Sequence, residues 1–229
     1  MLAWQPVSEQ QAADGDRVTE IEALPDLPAT AWTVLGMLSF GEGLSGYDVK
    51  AWADWSVHFF YWSPSYSQVY AELKKLERHG LATSTVEPGE TRPRRVYRIT
   101  VDGAEKLRRW VRESEVDRPV LKHPALLRLW LAHVNEPERL RAILTAHRDQ
   151  MRAMSSEAAD RVRGATREPS WAFTQLAMRW SERHYRSEAE LADWLLGQLD
   201  ETAQAFATAE TDPETGLPIA RRPGRWRRV

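Results

Sequence analysis

The chain of 229 residues is 42% hydrophobic and 28% charged with a net charge of -2, a globular composition sufficient for one large domain or two small ones. It holds no run of about 18 apolar residues, so no segment is expected to span a bilayer, and its polar, acidic start lacks the basic-then-apolar order of a secretory signal. Zero cysteines exclude disulfides and thiolate metal sites, and the expected location is the cytoplasm.

Charge is unevenly spread. Residues 1–27 carry one Arg against six acids, residues 217–229 carry five Arg and no acid, and residues 28–118 are close to neutral. Inside that neutral stretch Arg92, Arg94, Arg95 and Arg98 fall within seven residues. Such a local basic cluster is the footprint of a phosphate-binding element, or simply a solvated face.

Residues 1–27 read as a disordered leader. The first helical periodicity opens at Thr30, a candidate cap, and runs through Trp32, Leu35 and Leu38 to the turn Gly41–Gly46. A short helix follows through Tyr47, Val49, Lys50, Trp52 and Ala53, then the aromatic connection VHFFYWSP. Ser63 or Ser65 can cap a third helix of about 16 residues with Val69, Tyr70, Leu73 and Leu76 on one face, ended by His79-Gly80. Leu81–Glu87 and Arg95–Ile99 are extended candidates joined by the hairpin loop PGETRPR. Thr100 caps a helix through Leu107, Trp110 and Val111. Helix, helix, helix, hairpin, helix is the order of a winged helix-turn-helix, placed at 28–117.

Beyond the Pro119–Pro124 break the remainder, 118–210, reads as helical: 125–134, 137–163 and 170–207. Leu140, Leu144, His147, Met151 and Met154 make one apolar stripe, and Phe173, Leu176, Trp180, Leu191, Trp194, Leu195 and Leu199 another. These stripes cover each other or pair across a dimer. Residues 211–229 read as a disordered basic tail. The expected fold class is mainly α with a small β-hairpin wing, a winged helix-turn-helix followed by an all-helical dimerisation domain.

The segments VLGMLSFGEGLSGYDVK, SPSYSQVYAELKKLERHGLATS, RRVYRIT and DGAEKLRRW, with the set Tyr70, Gly80, Tyr97 and Gly103, resemble the PadR family of bacterial transcriptional regulators over about residues 30–117. The helical remainder is similar in pattern to the Vir-like dimerisation domain of the family's longer members. The resemblance implies a homodimer binding double-stranded DNA at an inverted-repeat operator, excluding RNA polymerase and so repressing, with a small aromatic effector as a further partner. A winged-helix dimer that binds a protein instead of DNA is the alternative.

The third helix is the candidate reading element, because a helix N-terminus presents its side chains to base edges and its free amides to phosphates. Ser65, Tyr66, Ser67 and Gln68 occupy its first turn, with Gln68 able to pair bidentately with adenine. Tyr70 is a core or phosphate residue, and Lys74 and Lys75 are phosphate neutralisers or plain surface. At the wing, Arg92 and Arg94 flank Pro93 as DNA candidates, with Arg95 beside them. Strand alternation puts Val96 and Arg98 opposite Arg95 and Tyr97. Eleven tryptophans suggest core and dimer packing or an aromatic pocket, for which Trp110 and Trp130 are the effector candidates. The G-x-G-x-x-G at Gly41–Gly46 lacks the βαβ setting of a nucleotide site. The six histidines form no H-x-x-x-H pair, so neither metal nor other cofactor is expected, and nothing indicates an enzyme.

Overall fold

The computed structural model describes residues 24–89, 93–165 and 168–219. Its elements are α1 (Ala29–Leu38), α2 (Gly46–Trp55), α3 (Tyr66–Arg78), β1 (Ala82–Glu87), β2 (Arg94–Ile99), α4 (Val101–Glu113), α5 (Pro124–Trp130), α6 (Pro137–Ala165) and α7 (Ala172–Phe206). The chain is mainly helical with one small antiparallel hairpin, the fold class read from the sequence.

α1 is buried on nearly every side: Ala31, Trp32, Val34, Leu35, Met37 and Leu38 are all in the core, and α2, α3, α4 and β2 pack around them. It begins at Ala29 after Pro28, with no side-chain cap, so Thr30 is not its cap. Core burial, with the extended proline before it, fixes this start. Leu24 and Leu27 pack on the same core, which puts the end of the expected leader inside the folded region. Residues 1–23 lie outside the described residues.

The other starts follow local chemistry. Ser45 and Asp48 form a reciprocal capping box at α2, Ser65 and Gln68 another at α3, and Thr100 Oγ1 accepts from the Gly103 N–H at 3.0 Å at α4. α3 has 13 residues rather than about 16. It closes when Gly80 adopts a φ of +69°, the Gly80 N–H donates to Glu77 and the Leu81 N–H to Leu76. Val69, Leu73 and Leu76 bury its apolar face.

The hairpin pairs Ala82 with Ile99 through Glu87 with Arg94. A third, very short strand joins it: Leu44 and Tyr97 exchange backbone hydrogen bonds of 3.0 and 2.8 Å. Gly43 permits this approach, since a Cβ there would lie 2.5 Å from Val96 Cγ1. The G-x-G-x-x-G therefore seats the wing on the helices. Val96 and Tyr97 are both buried, one on each face of β2.

α6 and α7 are about 44 and 52 Å long at 1.5 Å per residue and run antiparallel. Arg141 pairs with Asp200, Arg148 and Arg152 with Asp193, and Ser155 Oγ donates to the Glu182 carbonyl. The apolar residues of α7 do not form one stripe. Met178, Ser181, Ala189, Ala192 and Leu199 face inward, whereas Phe173, Leu176, Trp180, Leu191 and Trp194 are exposed by half or more. α5 adds Leu127 and Trp130 to the exposed apolar set.

The aromatic connection after α2 is the joint between the two helical groups. Phe59 is buried among Ala158 and Met178, and its carbonyl accepts from Tyr185 Oη at 2.7 Å. Trp171, before α7, packs within 6.0 Å of the Trp52 and Trp55 rings. At the other end, residues 211–219 depart from the expected disordered tail: Thr211 bridges Pro218, and Asp212 Oδ1 accepts from the Glu214 and Thr215 N–H groups. An Asx-type turn supplies that local order. Residues 220–229, with Arg221 to Arg228, lie outside the described residues. Among the described residues no helix is long and apolar enough to cross a membrane.

Candidate nucleic-acid interface

The start of α3 is solvent-facing. Tyr66 is 48% exposed, Ser67 is exposed, and Ser65 Oγ lies 2.9 Å from Ser67 Oγ. Gln68 is committed to the cap: its Oε1 accepts from the Ser65 N–H at 2.8 Å while its own N–H donates to Ser65 Oγ at 3.3 Å. The Ser65 N–H takes one of the two lone pairs of Oε1, so the cap restricts how the carboxamide is oriented, and a bidentate pair with adenine must fit that orientation or open the cap.

Tyr70 is both packed and exposed. Its ring lies on Gly46, where a Cβ would approach to 2.4 Å, yet 44% of the residue faces solvent. Lys74 is exposed, and Lys75 is paired with Glu72 at 3.3 Å. Two residues placed on the second helix by the sequence, but given no site role there, join this surface. Tyr47, at the start of α2, stacks on Tyr66 with centroids 6.1 Å apart, and Lys50 sits 5.6 Å from the centre of the Tyr66 ring. Lys50 is also ion-paired with Asp54, whose carboxyl it and the Ser63 hydroxyl hold below the usual carboxylate range. Only the α2–α3 contact reveals this role, because nothing in the local pattern at 47 or 50 distinguishes it.

The wing arginines separate by face. Arg94 approaches the Asp48 carboxylate at 3.5 Å, across from the first turn of α2. Arg95 donates to Ser84 Oγ at 2.9 Å on the opposite face. Arg98 pairs with Glu87 at 2.8 Å and holds that carboxyl below its ordinary range. Arg92 lies outside the described residues. Arg94–Asp48 and Tyr47–Tyr66 thus place the loop end of the wing, the start of α2 and the start of α3 on one side of the fold.

Trp110 and Trp130 are not brought together. Trp110 stacks on Trp32 at 5.3 Å in the core, while Trp130 is 77% exposed on α5. A cleft of about 670 Å³ lies elsewhere, between α1–α2 and the turn before α7. Phe40, Trp52, Trp55 and Trp171 line it, with Glu42, Asp48 and Glu168 among the polar groups.

Residues 34–109 match the model of the transcriptional regulator PadR-like family. Over 81 residues the chain is 37% identical to the negative transcriptional regulator PadR of Bacillus subtilis, a match spanning 35% of this chain and 43% of that relative. The fold is similar to a PadR-like transcriptional regulator from Bacillus cereus (TM-score 0.65, 19% identity, 76% of this chain and 99% of the other). It is also similar to Bacillus subtilis PadR in complex with operator DNA (0.62, 21%, 75% and 99%) and with p-coumaric acid (0.60, 20%, 74% and 94%). The family match therefore rests on residues 34–109, the winged-helix region, and the chain spans 43% of the length of the curated relative.

Proposed function

We propose that the chain is a homodimeric repressor that binds an inverted-repeat operator in double-stranded DNA. In this reading residues 28–117 read DNA, 118–210 form the dimer, and the protein works in the cytoplasm. The observation that carries it is the common side formed by the loop end of the wing and the start of α3, joined through Arg94–Asp48 and Tyr47–Tyr66. That surface presents Ser65, Tyr66, Ser67 and Lys74 to a groove, with Arg94 beside it and Arg95 on the other face of the wing. The negative regulator among the relatives, and the solved complex of PadR with operator DNA, support repression through operator binding. The second copy would cover Phe173, Leu176, Trp180, Leu191 and Trp194 of α7, a row of exposed apolar side chains too extensive for a free surface.

The effector reading moves from Trp110 and Trp130 to the cleft at Trp52, Trp55 and Trp171. Aromatic walls suit a planar molecule, and the carboxylates of Glu42, Asp48 and Glu168 favour a neutral or cationic one over a phenolic acid. The cleft lies where the winged helix meets α6 and α7, so filling it would alter the angle between the two reading helices.

Fluorescence anisotropy on DNA upstream of the chain's own gene, beside a scrambled duplex and across a salt series, tests the reading. Preference of about 10³-fold or more supports it. Sedimentation of the full chain should give a dimer that Trp180→Asp converts to monomer with weakened operator binding. Equal affinity for both duplexes and indifference to Trp180→Asp would refute it and favour a protein partner.

A further inference from the structure

We propose that His123, His147 and Glu188 form a binding site for one divalent transition-metal ion, zinc by preference, where α5 meets α6 and α7. The three residues are separated by 24 and 41 positions and come from three elements: the cap of α5, the middle of α6 and the middle of α7. Their spacing carries no motif, which is why the histidine pattern gave no metal. The fold brings one donor atom from each to within 4.8 Å of the others.

The geometry is close to a ligand shell. Glu188 Oε1 lies 2.6 Å from His123 Nε2 and 3.2 Å from His147 Nε2, and the two rings are 4.7 Å apart at 56°. A tetrahedral ion with bonds near 2.1 Å needs donor atoms about 3.4 Å apart. Movement of about an ångström by side-chain rotation converts one arrangement into the other. The side chains are only 11%, 17% and 19% exposed, so the ligands are sheltered without being sealed from solvent.

The donor set decides the class of ion. Two imidazoles and one carboxylate are the three-ligand set of open zinc sites. Magnesium and calcium prefer all-oxygen shells with more ligands and bind such a set poorly.

Ligation has a proton consequence at α5. His123 Nδ1 accepts from the Leu126 N–H at 3.1 Å, so the neutral ring carries its proton on Nε2 and donates it to Glu188. A metal on Nε2 takes the lone pair there and sends the proton to Nδ1, which can then no longer accept from Leu126. Metal loading therefore exchanges the cap of α5 for a coordinate bond tying His123 to α6 and α7. The site does not depend on the DNA-binding reading.

Tag-free full-length protein titrated calorimetrically with Zn²⁺, with Mg²⁺ as the hard-cation comparison, tests the proposal. One saturable zinc site per chain and no magnesium heat are expected. His147→Ala and Glu188→Gln should each weaken zinc by more than the roughly 10–100-fold that loss of an outer-shell partner costs, while exposed His133→Ala leaves it unchanged. On the wild type, zinc should speed hydrogen exchange at the Leu126 amide, and Co²⁺ should give the visible bands of a four-coordinate N/O site. Absence of a saturable zinc site, or a site that survives both ligand substitutions in variants with wild-type circular dichroism, overturns it. In either case the three residues are a hydrogen-bonded joint only.

Discussion

Substitution at Gln68 separates folding from reading, because one side chain serves the α3 cap and faces the proposed groove. In Gln68→Ala the 2.8 Å bond from the Ser65 N–H is lost. At an exposed helix end this costs about 0.5–1 kcal/mol, or roughly 1–4 °C in Tm for a chain of this size. Gln68→Glu keeps the capping box and adds a favourable charge at the helix start, so its Tm should match or exceed wild type. A carboxylate facing phosphates should nonetheless weaken operator binding. A bidentate adenine contact of about 1–3 kcal/mol would be reduced by any reorientation that breaks the cap, whereas a Gln68 held in the cap is expected to contact the base through Nε2. One such donor to a purine N7 is worth about 0.5–1.5 kcal/mol and accepts adenine and guanine alike. The expected result is therefore a stable Gln68→Glu protein with reduced affinity, and less than about 10-fold discrimination when the facing adenine becomes guanine. Thermal melts and anisotropy on the two duplexes measure both. Wild-type operator affinity in Gln68→Glu would refute any role for Gln68 in binding, and strong adenine preference would refute the retained cap.

Three further outcomes follow from the geometry. Arg94→Ala should reduce the salt slope of operator binding by about one, while Arg98→Ala, whose guanidinium is engaged with Glu87, should change it little. Leu144→Ala empties a fully buried position on the α6 seam and should cost about 2–5 kcal/mol, read by chemical denaturation. Burial holds the His58 imidazole below its ordinary range, opposed by Glu157 and Asp54. The unfolded chain takes up a proton near pH 6.5 that folded His58 accepts only at lower pH, so stability should decline as pH falls below about 6.5. His58→Asn should flatten that part of the stability curve, and an unchanged curve would remove His58 from the account.

The local parts of this protein were legible in its sequence because local chemistry decides them. Ser65 with Gln68, and Thr100 with Gly103, mark helix starts through bonds within one turn. The alternation of Val96 and Tyr97 set the faces of β2 before any partner was known. Composition excluded disulfides and long apolar spans outright. Long-range geometry decided the rest. The apolar residues of α7 read as one stripe, and only packing against α6 shows that Leu195 and Leu199 turn inward while Trp180 and Trp194 turn out. Gly43 reads as part of a turn until Val96 is laid over it. Phe59 is one of four aromatics in its connection until Tyr185, 126 residues away, donates to its carbonyl. His123, His147 and Glu188 carry no spacing signal at all, since three separate elements must dock before their donor atoms meet. Periodicity fixes which residues are apolar or can cap, and burial against a distant element fixes what each of them touches.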